Sequence, residues 1–208
     1  MRLRLTYVSR DLTDRAASVL RERGGTMRTR DILEAGVSPR TLYSMRDAGV
    51  LEQLSRGVYR LAEMPTHAQT DLVAVAARVP RAVVCLISAL AFHDLTTQIP
   101  HDIHIAVERG SDAPEIDYPP IRVFWFGGKA YSEGIEEYLI DGVPVRVYGA
   151  EKTVADCFKF RNTIGLDVAL EALRRYRARK QLNVEELLHY ARVCRVERVM
   201  RPYLEALL

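Results

Sequence analysis

The residues from Ser38 to Arg46 (SPRTLYSMR) combine arginine and hydroxyl side chains in a pattern typical of a surface that contacts nucleic acid. If this segment is a helix, Leu42 and Met45 lie on its inward face. The outward face then carries the polar side chains of Arg40, Thr41, Tyr43, Ser44 and Arg46. A guanidinium fork matches O6 and N7 of guanine, whereas hydroxyl groups suit phosphate and sugar. We therefore expect the two arginines to contact bases in a DNA major groove and the three hydroxyl residues to contact the DNA backbone.

The ends of this helix are marked by its own residues. Ser38 offers a side-chain oxygen to the free backbone N–H groups of the first turn, and Pro39 fits that turn because its missing donor has no partner there anyway. Gly49 supplies the left-handed residue that commonly ends a helix. A solvated helix more often carries Glu and Lys on its polar face, so the arginines and hydroxyls favour DNA contact.

The neighbouring segments predict a complete DNA-binding module. Residues 11–23 and 29–35 have apolar positions at helical spacing, and each segment is followed by glycine. Residues 50–54 and 58–61 are β-rich and flank the turn Ser55-Arg56-Gly57, which predicts a hairpin. Three helices and a hairpin in this order are typical of a winged helix-turn-helix with Arg56 at the wing tip. The alternative is a small helical domain that touches no nucleic acid.

Three more arginines extend the predicted contact surface. Arg28 and Arg30 flank the start of the second helix, where they and the backbone N–H groups can hold one phosphate. Arg56 suits a narrow minor groove. For any single arginine, the alternative is a solvated surface charge. The predicted DNA-binding residues are Arg28, Arg30, Ser38, Arg40, Thr41, Tyr43, Ser44, Arg46 and Arg56.

Positive charge is concentrated in this part of the chain. Residues 1–61 contain 12 arginines and seven acidic residues, a net charge of +5, whereas the whole chain of 208 residues carries +3. A basic module joined to a slightly acidic remainder fits phosphate binding at one end and another task at the other.

The composition allows one large or two small domains, because 48% of the residues are hydrophobic. No apolar run is long enough to span a bilayer, and the segment that begins Met1-Arg2-Leu3-Arg4 lacks the apolar core of a signal peptide. Cys85, Cys157 and Cys194 lie far apart in apolar runs, which predicts reduced core residues. We expect a cytoplasmic protein.

The remainder of the chain predicts a second domain after a linker at residues 62–67. Its expected helices cover residues 68–79, 151–160, 166–180, 183–193 and 196–208, and its expected strands cover residues 102–107, 121–126 and 143–148. Residues 82–95 are apolar almost throughout and predict a buried strand or helix. Asn183 and Glu186 form a capping-box pattern, and Pro202 should kink or split the last helix. The predicted fold class is α+β, with a winged helix-turn-helix at residues 1–62 and a mixed α/β domain with a helical C-terminal segment at residues 68–208.

Several short motifs occur in the order found in one known family. They are Arg56-Gly57-Val58-Tyr59, Ile87-Ser88-Ala89-Leu90, His93-Asp94-Leu95-Thr96, Gln98-Ile99-Pro100 and Glu151-Lys152-Thr153-Val154-Ala155-Asp156-Cys157. Over nearly its whole length the chain resembles the AbiEi family, the antitoxins of type IV toxin–antitoxin and abortive-infection systems of phage defence. The resemblance implies a winged helix that represses its own operon by binding inverted repeats. It also implies a C-terminal domain that counteracts a nucleotidyltransferase-like toxin without a stable complex.

Two other clusters invite a chemical interpretation. His93, His101 and His104 lie near acidic residues, but their spacing lacks a close histidine pair, so a hydrogen-bonded structural role is favoured for His93. Lys152 and Asp156 are four residues apart, which is the spacing of an ordinary helix ion pair, and Glu151 in the first turn suits the helix dipole. No Walker loop or Ser–His–Asp signature is present, so we predict no catalytic residue, no metal and no cofactor.

A run of five cations forms a second basic segment. It consists of Arg174, Arg175, Arg177, Arg179 and Lys180. Cations near the C-terminal end of a helix interact favourably with the helix dipole, but five cations are more than this interaction requires. The segment is predicted to extend the DNA footprint or to contact an acidic partner such as another repressor, with a solvated helix face as the alternative.

Two other functions stay open at this point. One is a transcription factor without a toxin partner, which would have the same N-terminal half. The other is a nucleotide-dependent transferase that acts on the toxin, with its chemistry in residues 68–208. The favoured prediction is a DNA-binding antitoxin that is not an enzyme and that self-associates on a palindromic operator.

Overall fold

The computed structural model describes residues 10–65, 69–179 and 182–207, except for the side chain of Leu207. Some predictions fall outside these ranges: those on residues 1–9, on linker residues 66–67, on the helix start at residue 68, on Lys180 and on residue 208. Within the described ranges, no helix is long and apolar enough to cross a membrane.

The N-terminal elements form the predicted winged helix-turn-helix with one additional strand. They are α1 (Arg10–Glu22), β1 (Thr26–Arg28), α2 (Thr29–Glu34), α3 (Pro39–Asp47), β2 (Leu51–Ser55) and β3 (Val58–Leu61), followed by α4 (Thr70–Arg78). Strands β2 and β3 form the predicted hairpin, and β1 pairs with β3 in an antiparallel sheet of order β1-β3-β2. The sequence does not predict β1, because three residues are too few to show an alternation.

An apolar core holds these helices against the sheet. Leu20 of α1, Ile32 of α2 and Leu42 of α3 are each fully buried, and they pack in one cluster with Met45 and Leu51. Burying a side chain of this size stabilises the fold by about 1.5–3 kcal/mol. The core therefore fixes one face of α3 and leaves its opposite face at the surface.

The remaining elements combine a five-stranded sheet with helices. They are β4 (Val83–Val84), α5 (Leu86–Phe92), β5 (Ile103–Glu108), β6 (Ile121–Phe126), α6 (Lys129–Ser132), β7 (Ile135–Ile140), β8 (Val143–Tyr148), α7 (Ala150–Lys159), α8 (Arg161–Ile164), α9 (Leu166–Arg177), α10 (Val184–Val193) and α11 (Glu197–Leu207). The strand order is β6-β5-β4-β8-β7. Strand β4 pairs antiparallel with β5 and parallel with β8, and β5 pairs parallel with β6. The α+β class is confirmed.

The chain divides into two compact units. The first contains the described residues up to Pro80 together with Ile116–Pro119 and Leu139–Val145, and the second contains Arg81–Glu115, Pro120–Tyr138 and the described residues from Arg146 onward. Helix α4, which the sequence assigned to the second domain, belongs to the first unit. The described part of the expected linker, residues 62–65, also belongs to the first unit, where Glu63 Oε1 lies 2.6 Å from Arg21 Nε.

Several predictions for the second half need correction. Strand β7 and the short helices α6 and α8 were not predicted. Strand β7 lies at the sheet edge, and its three exposed and three half-buried side chains show no clear alternation. The apolar stretch 82–95 divides into β4 and α5 instead of forming one element. Pro202 lies inside an unbroken helix α11, so it does not split that helix. The capping box is confirmed in part. Asn183 Oδ1 accepts from the Glu186 N–H at 3.0 Å, but the Asn183 backbone N–H donates to Tyr176 Oη and not to the Glu186 carboxylate, which accepts from Asn183 Nδ2 at 2.9 Å.

Candidate nucleic-acid interface

Helix α3 begins and ends at the predicted residues. Ser38 Oγ accepts a hydrogen bond from the Thr41 backbone N–H at 3.1 Å, and Pro39 occupies the first turn. Gly49 follows the helix in the left-handed conformation, with φ of 73°. Leu42 and Met45 form the buried inward face. The helix is therefore held at both ends and along one side, and its outward face has a fixed orientation.

Thr41 does not belong to that outward face, and its predicted contact with the DNA backbone is wrong. The residue is only 7% exposed, and its Oγ1 lies 2.9 Å from Ser38 Oγ. The hydroxyl completes the cap, since a residue three positions after the cap returns to it within one turn. Thr41 thus orders the start of α3 from inside the fold.

The exposed face of α3 carries two guanidinium groups with different surroundings. Arg40 is exposed and forms no ion pair with any described residue. Arg46 Nη2 lies 2.7 Å from Asp47 Oδ1, and the guanidinium carbon lies 5.1 Å from the centre of the Tyr43 ring. Tyr43 is exposed, and Ser44 is half-buried. An exposed pair of this kind contributes about 0–1 kcal/mol, so a phosphate or a guanine can replace Asp47 as the partner of Arg46.

The wing is tied to the start of α2 by Thr29. Its backbone N–H and its Oγ1 both donate to the Gly57 carbonyl, at 2.8 and 3.3 Å. Gly57 has φ of 76°, which allows the tight turn between β2 and β3. Arg56 is exposed at this turn and has no ion pair among the described residues. The two hydrogen bonds therefore hold the wing tip beside the first turn of α2.

The arginines that flank that turn differ in availability. Arg28 is half-buried and has no ion pair with the described part of the chain. Arg30 is exposed, and its Nε lies 2.7 Å from Glu34 Oε1 one helical turn away. Hydrogen bonding to Glu34 raises the pKa of Arg30, so the guanidinium stays charged. Together with Arg56, these residues place three positive charges around one helix start.

One arginine of the basic N-terminal region is not at the surface at all. Arg60 is 1% exposed, and its Nη1 lies 2.7 Å from Glu52 Oε1. Its Nε lies 3.4 Å from Asp141 Oδ2, and its Nη2 donates to the Pro65 carbonyl. Glu52 lies directly opposite Arg60 in the β2–β3 hairpin. The pairing of these two residues could therefore be predicted from the register of the hairpin. Arg60 braces the wing and contributes no charge to a DNA-facing surface.

The second basic segment is divided between several partners. Arg174 and Arg177 are exposed, whereas Arg175 Nε lies 3.0 Å from Glu171 Oε1. Arg179 is half-buried and donates to the His93 carbonyl, so it does not join an outward basic face. The described part of this segment therefore offers fewer unpaired cations than the sequence indicates.

Lys152 and Asp156 form an ion pair with the predicted spacing but not on the surface. Nζ lies 2.6 Å from Oδ2, and neither side chain is exposed. Nζ also lies 4.1 Å from the centre of the Tyr148 ring. Cys194 Sγ donates to Asp156 Oδ1 at 3.1 Å, and Glu151 accepts from Tyr176 Oη at 2.6 Å. The motif thus anchors the core of the second unit, where a substrate has no access to the pair.

The histidines and cysteines have structural surroundings. His93 Nε2 is 2.8 Å from the Tyr148 carbonyl oxygen, which confirms a hydrogen-bonded histidine. His104 is buried, and burial lowers its pKa to about 4. No group of three potential metal ligands occurs among the described residues. The three cysteines are buried and unpaired, as predicted.

The comparisons with known proteins concern first the N-terminal unit. Residues 14–62 match a family model described as a transcriptional regulator, AbiEi antitoxin. The matched segment contains every residue of the predicted DNA-binding set. No curated protein sequence matches the chain.

A solved structure matches the chain over nearly its whole length. The RV2827C protein from Mycobacterium tuberculosis superposes with a TM-score of 0.56 and 13% sequence identity. The match covers 94% of this chain and 81% of that protein. At this identity the likeness concerns the fold alone. Unlike the family match, it extends beyond residue 62 into the second half of the chain.

Proposed function

We propose that this chain is a type IV antitoxin that represses its own operon, because residues 14–62 match a family model described as a transcriptional regulator, AbiEi antitoxin. Helix α3 enters the major groove of inverted-repeat DNA, and the wing tip contacts the flanking minor groove. The second unit counteracts a cognate nucleotidyltransferase-like toxin. The protein acts in the cytoplasm and uses no cofactor.

The observation that carries the DNA-binding role is the outward face of α3. Its inward face is fully packed, its start is capped, and Arg40 extends to solvent without a carboxylate partner among the described residues. A rigid helix fixes the backbone from which the Arg40 guanidinium reaches a guanine. A correct bidentate contact between the two contributes about 1–3 kcal/mol of discrimination against the wrong base. Tyr43 and Ser44 flank it and suit contacts to phosphate and sugar.

The surfaces around α3 add further contacts to the duplex. Arg28 and Arg30 lie around the start of α2, where they suit the phosphates next to the groove that α3 enters, and Arg56 at the wing tip suits the flanking minor groove. Each neutralised phosphate releases counterions, so binding should weaken steeply with salt. One module contacts one half-site, and two copies of the chain account for an inverted repeat.

The second unit supports an antitoxin role without catalysis. Lys152 and Asp156 are candidate catalytic residues for a transferase, but both are completely buried and pair with each other at 2.6 Å. No ligand reaches them without opening the core. We therefore propose that the second unit acts on the toxin pathway by a non-enzymatic route and without a stable complex.

Growth and reporter assays on the full-length chain test this proposal. The chain is expressed with the neighbouring toxin gene and, separately, with a reporter under its own upstream region. Arg40→Ala/Arg56→Ala should lose repression and keep growth rescue, because both residues lie in the N-terminal unit. Arg198→Ala/Arg201→Ala, which removes two exposed arginines of α11 in the second unit, is the charge-matched control and should keep both activities.

The outcomes separate the candidate functions. Repression without rescue by the unchanged chain would indicate a plain transcriptional regulator. Rescue that is abolished by Arg40→Ala/Arg56→Ala would contradict the assignment of the two roles to separate units.

A further inference from the structure

A cavity of about 230 Å³ lies beside strand β1 in the first unit. Successive side chains of a strand point to opposite faces, so Thr26 and Arg28 share one face while Met27 packs in the core. Both residues of that shared face line the cavity. The complete lining is Arg23, Thr26, Met27, Arg28, Asp31, Ala77, Gly142, Val143 and Pro144.

The cavity contains a buried hydroxyl that has no partner. Thr26 is 2% exposed, and its Oγ1 forms no hydrogen bond with any described residue. Buried polar groups are nearly always hydrogen-bonded, and an orphan beside a cavity of this size indicates an occupant that accepts or donates there. The lining does not supply that partner.

The charged residues of the lining indicate the chemistry of the occupant. Arg23 and Arg28 form no ion pairs within the described chain, whereas Asp31 is the single carboxylate of the lining. Arg60 lies opposite Thr26 in the sheet, but its charge is already shared between Glu52 and Asp141. Two available guanidiniums and a hydroxyl donor suit a compact oxyanion, and a nearby carboxylate can accept from a protonated oxygen of that anion.

We infer that this cavity binds a phosphate group that keeps a protonated oxygen, either inorganic phosphate or a phosphomonoester. Thr26 Oγ1 donates to one phosphate oxygen, Arg23 and Arg28 pair with the others, and Asp31 accepts from the P–OH group. A phosphodiester of DNA has no such proton, so Asp31 disfavours the DNA backbone as the occupant. If the proposed function holds, phosphate that engages Arg28 also removes it from the DNA-contacting set and lowers operator affinity.

Calorimetric titration of the full chain with inorganic phosphate at neutral pH tests the site without DNA. Sulfate is the second probe, since it has the same shape and no protonated oxygen. We expect saturable binding of phosphate and much weaker binding of sulfate. Thr26→Val keeps the side-chain shape and should weaken phosphate binding about tenfold, the effect of one hydrogen bond to a charged group. Arg23→Gln should weaken it similarly, whereas Arg15→Gln, on the exposed surface of α1, should leave it unchanged.

Three results would overturn the inference. They are no saturable binding at millimolar phosphate, equal affinities for phosphate and sulfate, and unchanged phosphate affinity in Thr26→Val. Thermal unfolding without phosphate controls for folding, because removing an orphan hydroxyl should leave the melting temperature of Thr26→Val equal or higher. A duplex carrying the upstream region forms the last arm. Weaker duplex binding by Thr26→Val without any phosphate binding would assign the cavity to a DNA phosphate and refute the free-phosphate site.

Discussion

The buried pair of Lys152 and Asp156 leads to a sharp prediction about stability. Lys152→Met keeps the length of the side chain but leaves the Asp156 carboxylate buried without its cation at 2.6 Å. Breaking a buried pair from one side typically costs about 3–5 kcal/mol, a large share of the roughly 5–15 kcal/mol that stabilises a domain. Burial raises the pKa of the Asp156 carboxyl, so the loss should shrink at acidic pH, where the neutral acid is tolerated.

Urea unfolding followed by the fluorescence of Trp125 measures this loss in the second unit, because it is the single tryptophan of the chain. With an m-value of about 2 kcal/mol/M, the midpoint should fall by about 1.5–2.5 M. Lys129→Met is the matched control, since Lys129 is 82% exposed and lies 3.6 Å from Glu133 at the same spacing. An exposed pair contributes about 0–1 kcal/mol, so its midpoint should move by no more than about 0.5 M.

A double variant separates the ion pair from the shape of the side chains. Lys152→Met/Asp156→Leu removes both charges and should recover most of the loss, because apolar residues of similar volume often replace a buried pair without penalty. If Lys152→Met unfolds at the same urea concentration as Lys129→Met, the pair is not buried as described and the reasoning fails.

Three further predictions concern single residues. Burial lowers the pKa of His104 to about 4, so the free energy of unfolding should be greatest above pH 6.5 and fall by about 3 kcal/mol as the pH drops toward 4. Urea titrations of His104→Phe should lack this fall. The same pH profile in His104→Phe and in the unchanged chain would contradict the prediction. Ser38→Ala should cost about 1 kcal/mol and speed amide exchange at Thr41, whose N–H loses its acceptor; an unaltered exchange rate would exclude the cap. Gly142→Ala places a Cβ 1.8 Å from the Arg23 carbonyl oxygen, whereas Gly36→Ala meets open space at a similar positive φ. Calorimetric melting should show that Gly36→Ala loses about 1–2 kcal/mol of unfolding free energy and that Gly142→Ala loses clearly more. Equal losses would refute the close approach of Gly142 to Arg23.

Local signals predicted the main elements of the first unit. A hydroxyl cap, a proline in the first turn and a glycine after the end define α3 from residues within a few positions of one another. The wing likewise follows from two β-rich segments and a glycine turn. The ends of a helix and the position of a tight turn depend on residues that are close in sequence, so these features could be predicted from the sequence.

Long-range partners account for most of what the sequence did not predict. Thr29 bonds to Gly57 across 28 positions, and no local pattern indicates that contact. Arg60 was counted in the net positive charge of residues 1–61, but Glu52 and Asp141 hold it inside the fold. Thr41 has the polarity of a surface residue, yet the cap at Ser38 takes up its hydroxyl. In each case the side chain's role depends on a neighbour that folding brings close.

The central claim, that the outward face of α3 reads duplex DNA, is tested most directly by a mobility-shift titration at several salt concentrations. The probe is a duplex from the region upstream of the gene, and the proteins are the unchanged chain, Arg40→Ala and the charge-matched Arg201→Ala. We expect Arg40→Ala to bind about tenfold or more weakly and to lose preference for the upstream sequence over an unrelated duplex, whereas Arg201→Ala binds normally. Equal affinity and equal sequence preference for the unchanged chain and Arg40→Ala would contradict the claim.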